Sequence, residues 1–326
     1  MRLVTVLILI LATLTFPLLG EDRANDQSQA DPFGLPPPKD VEKPGTIVLH
    51  GGGPITQDVF DEFIESAGGS KAHIVFIPSA GWQADTFDTT EDFEDALAFR
   101  FSSWTDLVDD GGIESFQFLY TDDPDDADDP DFLKPLEKAT GVWFSGGDQS
   151  ELNYRFVGEY PQQTRFQKLL KRVLRRGGVV GGTSAGMAAL PMIMTLWQDR
   201  DDQISPVYAV AGHGLGLLDR VIVEQHFDTR GGRLERFTSL LKDADRLDAL
   251  AGREGVGANM IGIAVEEDAA ALLYKGELRV MGEGRVHLFR KSRDGRVLTW
   301  EEIPTGETVE IGIEEPQGSE RAEPGP

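Results

Sequence analysis

The chain has 326 residues, carries a formal net charge of -25 and contains no cysteine. The lack of thiols excludes disulfides, thiolate metal sites and a cysteine nucleophile. The negative charge makes nucleic-acid backbones and anionic membranes unfavourable partners, whereas cationic substrates and basic polymers are attracted to it.

The N-terminal segment has the pattern of a signal peptide. Arg2 precedes an apolar run from Leu3 to about Leu19, and small residues close the run before a charged stretch. Because the run is also near the minimum length that spans a membrane, a retained anchor is the alternative. We expect residues 1–20 to direct export, either secretion or delivery to the periplasm, with no stable membrane insertion after cleavage.

Two polar segments flank the predicted globular domain. Residues 21–44 are rich in proline and lack helical or strand periodicity, and residues 313–326 have the same character. We therefore expect a disordered linker, a single domain over residues 45–312 and a disordered tail.

Within this domain, short apolar runs alternate with helical patterns. The runs are TIVLH, HIVFIPSA, FQFLY, GVWFSGG, GVVGG, RVIVEQH and IGIAVEE, and a clear helical pattern is TRFQKLLKRVLRRGG. This alternation predicts an α/β fold with a mostly parallel sheet covered by helices on both faces. Near the C-terminus, AAALLYKGELRVMGEGRVHLFRKS predicts a small region of antiparallel β-hairpins.

Four of the predicted strands end in unusual sequences. These are HGGG at 50–53, SGGDQ at 145–149, GGTSAG at 181–186 and EQHFDTRGG at 224–232. In a parallel sheet, ligands bind beyond the carboxyl ends of the strands. We therefore expect the four strand ends to form one site.

The third of these strand ends contains a candidate nucleophile. Gly182-Thr183-Ser184-Ala185-Gly186 fits the G-x-S-x-G nucleophile elbow, in which small neighbours allow a strained turn at a helix N-terminus. The Ala185 N–H would then be available to an oxyanion. A glycine-rich loop without a catalytic serine is the alternative interpretation.

A serine hydroxyl needs a base, and the chain has five histidines. His226 is favoured because it ends the apolar run RVIVEQH, where a strand delivers a residue to the active edge; a structural hydrogen-bonding role is its alternative. Glu267, which follows the strand IGIAVE, is the candidate that orients the imidazole. Since the sequence has no H-E-x-x-H motif and no close histidine pair, we expect neither a metal ion nor another cofactor.

Several spaced motifs together resemble the cyanophycinase branch of the S51-type serine peptidases, which are related to aspartyl dipeptidase. The motifs are GGDQ, GGTSAG, GLGLL at 214–218, EQHFDTRGGRLERF at 224–237 and GIAVEED at 262–268, and the resemblance covers about residues 46–290. It implies a three-layer α/β/α fold akin to class I glutamine amidotransferases. It also implies hydrolysis of peptide bonds next to aspartate. Cyanophycinases cut a polyaspartate that carries arginine on its β-carboxyls, and they release β-aspartyl-arginine.

The resemblance also implies roles for individual residues. Ser184 would be the nucleophile, His226 the general base and then acid, and Glu267 the orienting carboxylate. The oxyanion hole would be formed by backbone N–H groups near Gly147, Asp148 and Ala185. The substrate, a peptide or polypeptide rich in Asp and Arg, would be bound by Gln149, Gln225, Arg230, Arg233 and Arg236. The oligomeric state is not determined by the sequence, and a homodimer remains open.

The substrate pocket departs from the family pattern, and two other functions compete. The run Arg230-Gly-Gly-Arg233-Leu-Glu-Arg236 has one more glycine than the family's R-x-R-x-x-R, and Glu224 stands where Asp is usual. Both polymer and short aspartyl peptides therefore remain candidate substrates. An α/β-hydrolase esterase would use HGGG as its oxyanion loop and His287 as its base. The other alternative is an exported α/β protein that binds peptides or amino acids without catalysis.

Overall fold

The computed structural model describes residues 44–196, 209–292 and 298–311. The predicted signal peptide and C-terminal tail lie outside these residues, as does all of the predicted linker except its last residue. Within the described ranges, none of the helices has the length and apolar composition needed to cross a membrane.

The described residues form fourteen strands and nine α-helices. The strands are β1 Thr46–His50, β2 His73–Ile77, β3 Ser115–Phe118, β4 Gly141–Phe144, β5 Val179–Thr183, β6 Ile193–Thr195, β7 Ala211–His213, β8 Val221–Glu224, β9 Ile261–Val265, β10 Ala269–Tyr274, β11 Glu277–Gly282, β12 Arg285–Lys291, β13 Leu298–Pro304 and β14 Thr308–Glu310. The helices are α1 Gln57–Ala67, α2 Thr90–Arg100, α3 Ser102–Asp109, α4 Lys134–Lys138, α5 Gln149–Phe156, α6 Arg165–Arg175, α7 Ala185–Ala188, α8 Arg233–Lys242 and α9 Ala244–Ala251.

Eight strands form a large central sheet in the order β14-β11-β10-β1-β5-β4-β2-β3. Strands β1, β5, β4, β2 and β3 pair in parallel with their neighbours. Strands β10, β11 and β14 extend the sheet on the other side of β1 and pair antiparallel. Successive residues of β1 pack into two different apolar clusters. Ile47 lies in the cluster that contains residues of α6, whereas Val48 lies in the cluster that contains residues of α1. Both faces of the sheet are thus covered, and the predicted α/β fold with a mostly parallel sheet is confirmed.

The strands that carry the predicted histidine and carboxylate lie in a second sheet. This sheet has the order β13-β12-β9-β8, with β8 and β9 parallel. The sequence predicted one parallel sheet. Short, fully buried runs such as VIVE and IGIAV are compatible with a strand in either sheet, because their apolar pattern does not specify which strand they pair with. The predicted antiparallel region is confirmed, and its strands are divided: β10 and β11 extend the central sheet, and β12 belongs to the second sheet.

Helix α6 shows how the sequence fixes an element that supports the site. Thr164 and Gln167 form a reciprocal capping box at its N-terminus, and the predicted apolar face is buried. The helix packs against the face of the central sheet that contains Ile47, and β5 begins four residues after the helix ends. The helix therefore supports the strand that leads to Ser184.

Candidate active site

Ser184 occupies a strained turn between β5 and α7. Its φ of 54° and ψ of −118° lie outside the regions that residues with a side chain favour. A Cβ on Gly182 would lie 2.6 Å from the Gly186 carbonyl carbon, and one on Gly186 would lie 2.5 Å from the Phe144 carbonyl oxygen. The turn therefore requires the small residues that the sequence places around the serine, as a nucleophile elbow does.

A chain of hydrogen bonds joins the three predicted catalytic side chains. Ser184 Oγ lies 2.7 Å from His226 Nε2, and His226 Nδ1 lies 2.5 Å from Glu267 Oε1. Ser184 follows β5 of the central sheet, whereas His226 and Glu267 follow β8 and β9 of the second sheet. The site is therefore assembled between two sheets and not along the single sheet edge that the sequence predicted.

The end of β1 links the serine and the histidine. The Ser184 N–H donates to the His50 carbonyl oxygen and the His226 N–H donates to the Gly51 carbonyl oxygen, each at 2.9 Å. Gly52 lies against the imidazole, so that a Cβ there would be 2.2 Å from His226 Cε1. The glycine run after β1 therefore makes room for the histidine.

Burial and hydrogen bonding act in opposite directions on the imidazole of His226. Burial lowers the pKa of His226 from its usual 6.5, the hydrogen bond to Glu267 raises it, and the nearby charge of Arg230 lowers it again. The net direction is downward. The ring is therefore neutral at neutral pH and can accept the serine proton.

Glu267 is held in place by three hydrogen bonds. Its Oε1 accepts from the Thr229 hydroxyl at 2.8 Å as well as from His226, and its backbone N–H donates to Asp228 Oδ1 at 2.9 Å. The bond with His226, followed by the bond with Thr229, lowers the pKa of Glu267. The carboxylate therefore stays ionised and fixes the orientation of the imidazole.

His50 is a second buried histidine beside the serine turn. It pairs with Thr183 across β1 and β5, and its Nδ1 lies 2.8 Å from Thr183 Oγ1. Burial lowers the pKa of His50 to about 4. A neutral imidazole thus supports the residue that precedes the nucleophile.

The loop after β4 supplies part of the predicted oxyanion hole. A Cβ on Gly146 would lie 3.3 Å from Ser184 Cβ, which places this loop against the serine. Among the described residues, no backbone carbonyl accepts from the N–H of Gly147 or of Ala185. Asp148 differs from the prediction, because its N–H donates to the Ala80 carbonyl oxygen at 2.7 Å and its side chain caps α5. Two of the three predicted donors therefore remain available to an oxyanion.

The two predicted glutamines are both buried. Gln149 is 2% exposed, and its Nε2 donates to the Thr195 carbonyl oxygen at 2.7 Å, a bond that stabilises the fold. Gln225 is 3% exposed, and its Oε1 is buried without a partner among the described residues. Within the described part of the chain, Gln225 therefore keeps an unused, buried acceptor in the residue before His226.

Two of the three predicted substrate arginines have an internal partner. Arg236 forms a fork with both carboxylate oxygens of Glu224, through Nη2 at 2.5 Å and Nε at 3.1 Å, and Arg233 Nη1 approaches the same carboxylate at 2.5 Å. Glu224 is 0% exposed. The substrate-binding prediction for Arg233 and Arg236 is therefore replaced by a buried ion cluster, because a buried carboxylate must be paired. Arg230 is exposed, and its charge acts on both His226 and Glu267.

A cavity of about 580 Å³, here called the serine cavity, opens next to Ser184. Gly146, Gly147 and Ser184 line it at one side. The other walls are largely aromatic, and Arg100 is the one cation among the lining residues that the structure describes. The rings come from Phe60, Phe76, Trp82, Phe101, Trp104 and Trp143. This cavity could not be predicted from the sequence, since its walls come from segments distant along the chain, and aromatic residues in such segments are typical of a hydrophobic core.

The histidine that the esterase alternative needs as its base has a different partner. His287, which an esterase would need as its base, has its Nε2 2.9 Å from Glu266 Oε1, whereas His226 contacts the serine. In the described ranges, no group of three or more His, Asp or Glu side chains is arranged to hold a metal ion. Ser184 lies beside His226, which in turn contacts Glu267, and beside the loop that follows β4.

The chain is similar in sequence to a peptidase family and to individual proteins named cyanophycinases. The sequence profile of peptidase family S51 matches residues 47–267. A cyanophycinase from Synechococcus elongatus is 26% identical over 291 residues, which covers 88% of this chain and 80% of that protein. A cyanophycinase from Geminocystis herdmanii is 25% identical over 245 residues, covering 75% of this chain and 77% of that protein.

The fold is also found among solved structures. The crystal structure of a peptidase from an acI-B1 Actinobacterium superposes with a TM-score of 0.54 and 21% identity, covering 82% of this chain and 97% of that chain. At this identity the similarity concerns the fold, which agrees with the α/β architecture described above.

Proposed function

Since this chain belongs to peptidase family S51 and is a serine-type peptidase, we propose that it hydrolyses peptide bonds at aspartyl residues, with cyanophycin as its leading substrate. The observation that carries the catalytic part is the chain of contacts Ser184 Oγ, His226 and Glu267, at 2.7 and 2.5 Å. The substrate part is supported by the relatives named cyanophycinases.

The reaction begins with Ser184. Its Oγ attacks the carbonyl carbon of the scissile bond while His226 Nε2 takes the hydroxyl proton. Burial favours this step, because the lowered pKa keeps the imidazole neutral before the attack. Glu267 stabilises the imidazolium that forms, and it stays ionised throughout.

The tetrahedral oxyanion is stabilised by backbone donors. The N–H groups of Gly147 and Ala185 are the two candidates, because neither is used by another backbone carbonyl among the described residues. Collapse of the intermediate breaks the C–N bond, and His226 gives its proton to the leaving amine. Water then attacks the acyl-enzyme with His226 as base, which releases the acid product and regenerates Ser184.

Arg230 is the proposed ligand for the aspartyl carboxylate. It is the exposed arginine of the run after β8, and its charge is close enough to lower the pKa of His226 and of Glu267. A guanidinium can bind a carboxylate through two parallel hydrogen bonds. Arg233 and Arg236 act indirectly in this proposal, since their cluster with Glu224 supports the segment that contains the histidine.

The decisive experiment is incubation of the purified protein with cyanophycin and with a panel of aspartyl dipeptides, followed by mass spectrometry of the products. We expect release of β-aspartyl-arginine from the polymer by the wild type and none by Ser184→Ala. Hydrolysis of short aspartyl peptides alone would keep the peptidase mechanism and remove the polymer as substrate. Product release that survives Ser184→Ala would overturn the mechanism.

We also propose that the protein is exported. This proposal rests on the apolar run from Leu3 to about Leu19 after Arg2. Immunoblots of cytoplasmic, periplasmic and secreted fractions test it in a bacterial host. Full-length protein that stays in the cytoplasm would contradict it.

A further inference from the structure

A second cavity, here called the acidic cavity, opens beside the oxyanion loop. It has a volume of about 550 Å³ and shares Gly81 and Trp82 with the serine cavity, so the two are neighbours. Asp148 and Glu151 contribute carboxylates to its wall, and none of its described lining residues is basic. The serine cavity has the opposite character, because among its described lining residues Arg100 is the charged one and none is a carboxylate.

The aromatic part of the acidic cavity is a stacked pair. The rings of Trp82 and Phe87 lie 5.9 Å apart with an interplanar angle of 15°, and both residues line the cavity. Both are only partly buried. An aromatic face of this kind attracts a planar cation, and tryptophan is the most favourable ring for the interaction.

Among the described residues, each of the two carboxylates keeps one oxygen without a partner. The bonds that Asp148 accepts from Ser150 both go to Oδ1. Glu151 uses Oε2 for its contact with Arg155 at 3.2 Å, while Arg155 also pairs with Asp122 at 2.6 Å. Two carboxylates therefore share Arg155, and Asp148 has no cationic partner among the described residues, which leaves the region negative.

Ser79 provides an independent sign of a ligand. It lines the acidic cavity and is 0% exposed, and its Oγ has no hydrogen-bond partner in the described residues. Its carbonyl oxygen, in contrast, accepts from Arg155. A buried hydroxyl without a partner is unfavourable, and an N–H donor from a ligand would satisfy it.

We propose that the acidic cavity binds the guanidinium group of a substrate arginine. The aromatic face stacks on the planar cation, and the free oxygens of Asp148 and Glu151 accept its N–H groups. The inference rests on the proposed function, because a polyaspartate with arginine side groups brings guanidinium groups to the site. Arg100 disfavours the same cation in the serine cavity.

Binding of a small probe tests the acidic cavity separately from catalysis. The probes are N-acetyl-arginine amide and its citrulline counterpart, which has nearly the same shape and no charge. Calorimetric titration of the wild type should show binding of the arginine probe and about tenfold weaker binding, or none, of the citrulline probe. Equal affinity for the two probes would overturn the proposal.

Two variants and one control locate the binding. Glu151→Gln keeps the shape and removes one charge, and we expect it to weaken arginine binding about tenfold. Trp82→Leu removes the larger stacked ring and should weaken it severalfold. Glu307→Gln is the matched control, because it removes an exposed charge outside this cavity. The same loss of affinity in Glu151→Gln and Glu307→Gln would refute a specific site.

The failure of this inference is distinguishable from failure of the proposed function. If the arginine probe binds and Glu151→Gln weakens it while cyanophycin is not hydrolysed, the acidic cavity stands and the proposed polymer substrate fails. If cyanophycin is hydrolysed while Glu151→Gln leaves probe binding and kcat/KM unchanged, the proposed function stands and the acidic cavity is refuted.

Discussion

The serine turn and the histidine segment, residues 225–236, contribute to one site by different physical means. The serine turn is determined by local sterics, since a Cβ at Gly182 or Gly186 would meet backbone atoms. The histidine segment depends on Glu224, a residue of the preceding strand, which binds two of its arginines. The need for small residues around the serine can be predicted from a short motif. The carboxylate that pairs with an arginine cannot be predicted in this way.

The largest expected effect is the same for the serine turn and for the histidine segment. Ser184→Ala and His226→Ala should each lower kcat/KM by about 10⁴-fold or more, and the double variant should lose no more than either one, because the residues act as a unit. Single-turnover assays with far-UV circular dichroism separate loss of chemistry from loss of fold. Ser103→Ala, which alters another serine of the same cavity, should keep activity. Additive losses in the double variant would contradict the triad.

A smaller but still large effect is expected at Gly52. Gly52→Ala should displace the imidazole of His226, because a Cβ would lie 2.2 Å from its Cε1, and misplacement of this kind lowers kcat about 100-fold. The control is Gly231→Ala in the histidine segment, where no atom lies within 4 Å of a Cβ. Similar activity of the two variants would show that the close packing around the histidine is not required.

What the sequence predicted follows the same division. The roles of Ser184, His226 and Glu267 were suggested by the ends of apolar strands, and the structure brings these side chains into contact. The division into two sheets was not predicted, because the residue pattern of a buried strand does not identify the strand that pairs with it. Asp148 was assigned to the oxyanion hole from its motif. A motif does not show that the Asp148 N–H donates a hydrogen bond to the Ala80 carbonyl oxygen.

Stability should respond to the histidine segment through Glu224. Glu224→Gln leaves two buried guanidinium groups without their carboxylate, and we expect the free energy of unfolding to fall by about 3 kcal/mol. Urea titrations measure the change. Glu235→Gln, an exposed residue of α8, should stay within about 0.5 kcal/mol of the wild type. An unchanged stability in Glu224→Gln would mean that the ion cluster has no structural role.

A modest effect is expected where the histidine segment supports the carboxylate. Thr229→Val keeps the shape and removes the 2.8 Å hydrogen bond to Glu267 Oε1. Loss of one such bond corresponds to about a fivefold fall in kcat/KM. Thr229→Ser restores a hydroxyl and should recover most of the activity. If valine and serine give the same rate, the hydrogen bond does not position Glu267.

The pH profile of kcat/KM gives the finest comparison. Because burial lowers the pKa of His226 from its usual 6.5, the acid limb of the profile should have its midpoint below pH 6.5, and activity is lost as pH falls through it. Arg230 also lowers this pKa by its charge, so Arg230→Gln should move the midpoint to higher pH. The pKa of Glu267 is lowered as well, mainly by its bond to His226, so its titration affects only the most acidic part of the profile.

Arg230→Lys distinguishes charge from shape in that experiment. Lysine keeps the positive charge, so the midpoint should stay near that of the wild type, but it lacks the planar fork that binds a carboxylate through two parallel bonds. KM for aspartyl substrates should therefore rise in both variants, whereas the midpoint should move only in Arg230→Gln. An unchanged KM in both would remove Arg230 from substrate binding. The histidine segment would then contribute the base and its support, with the aspartyl carboxylate bound by another residue.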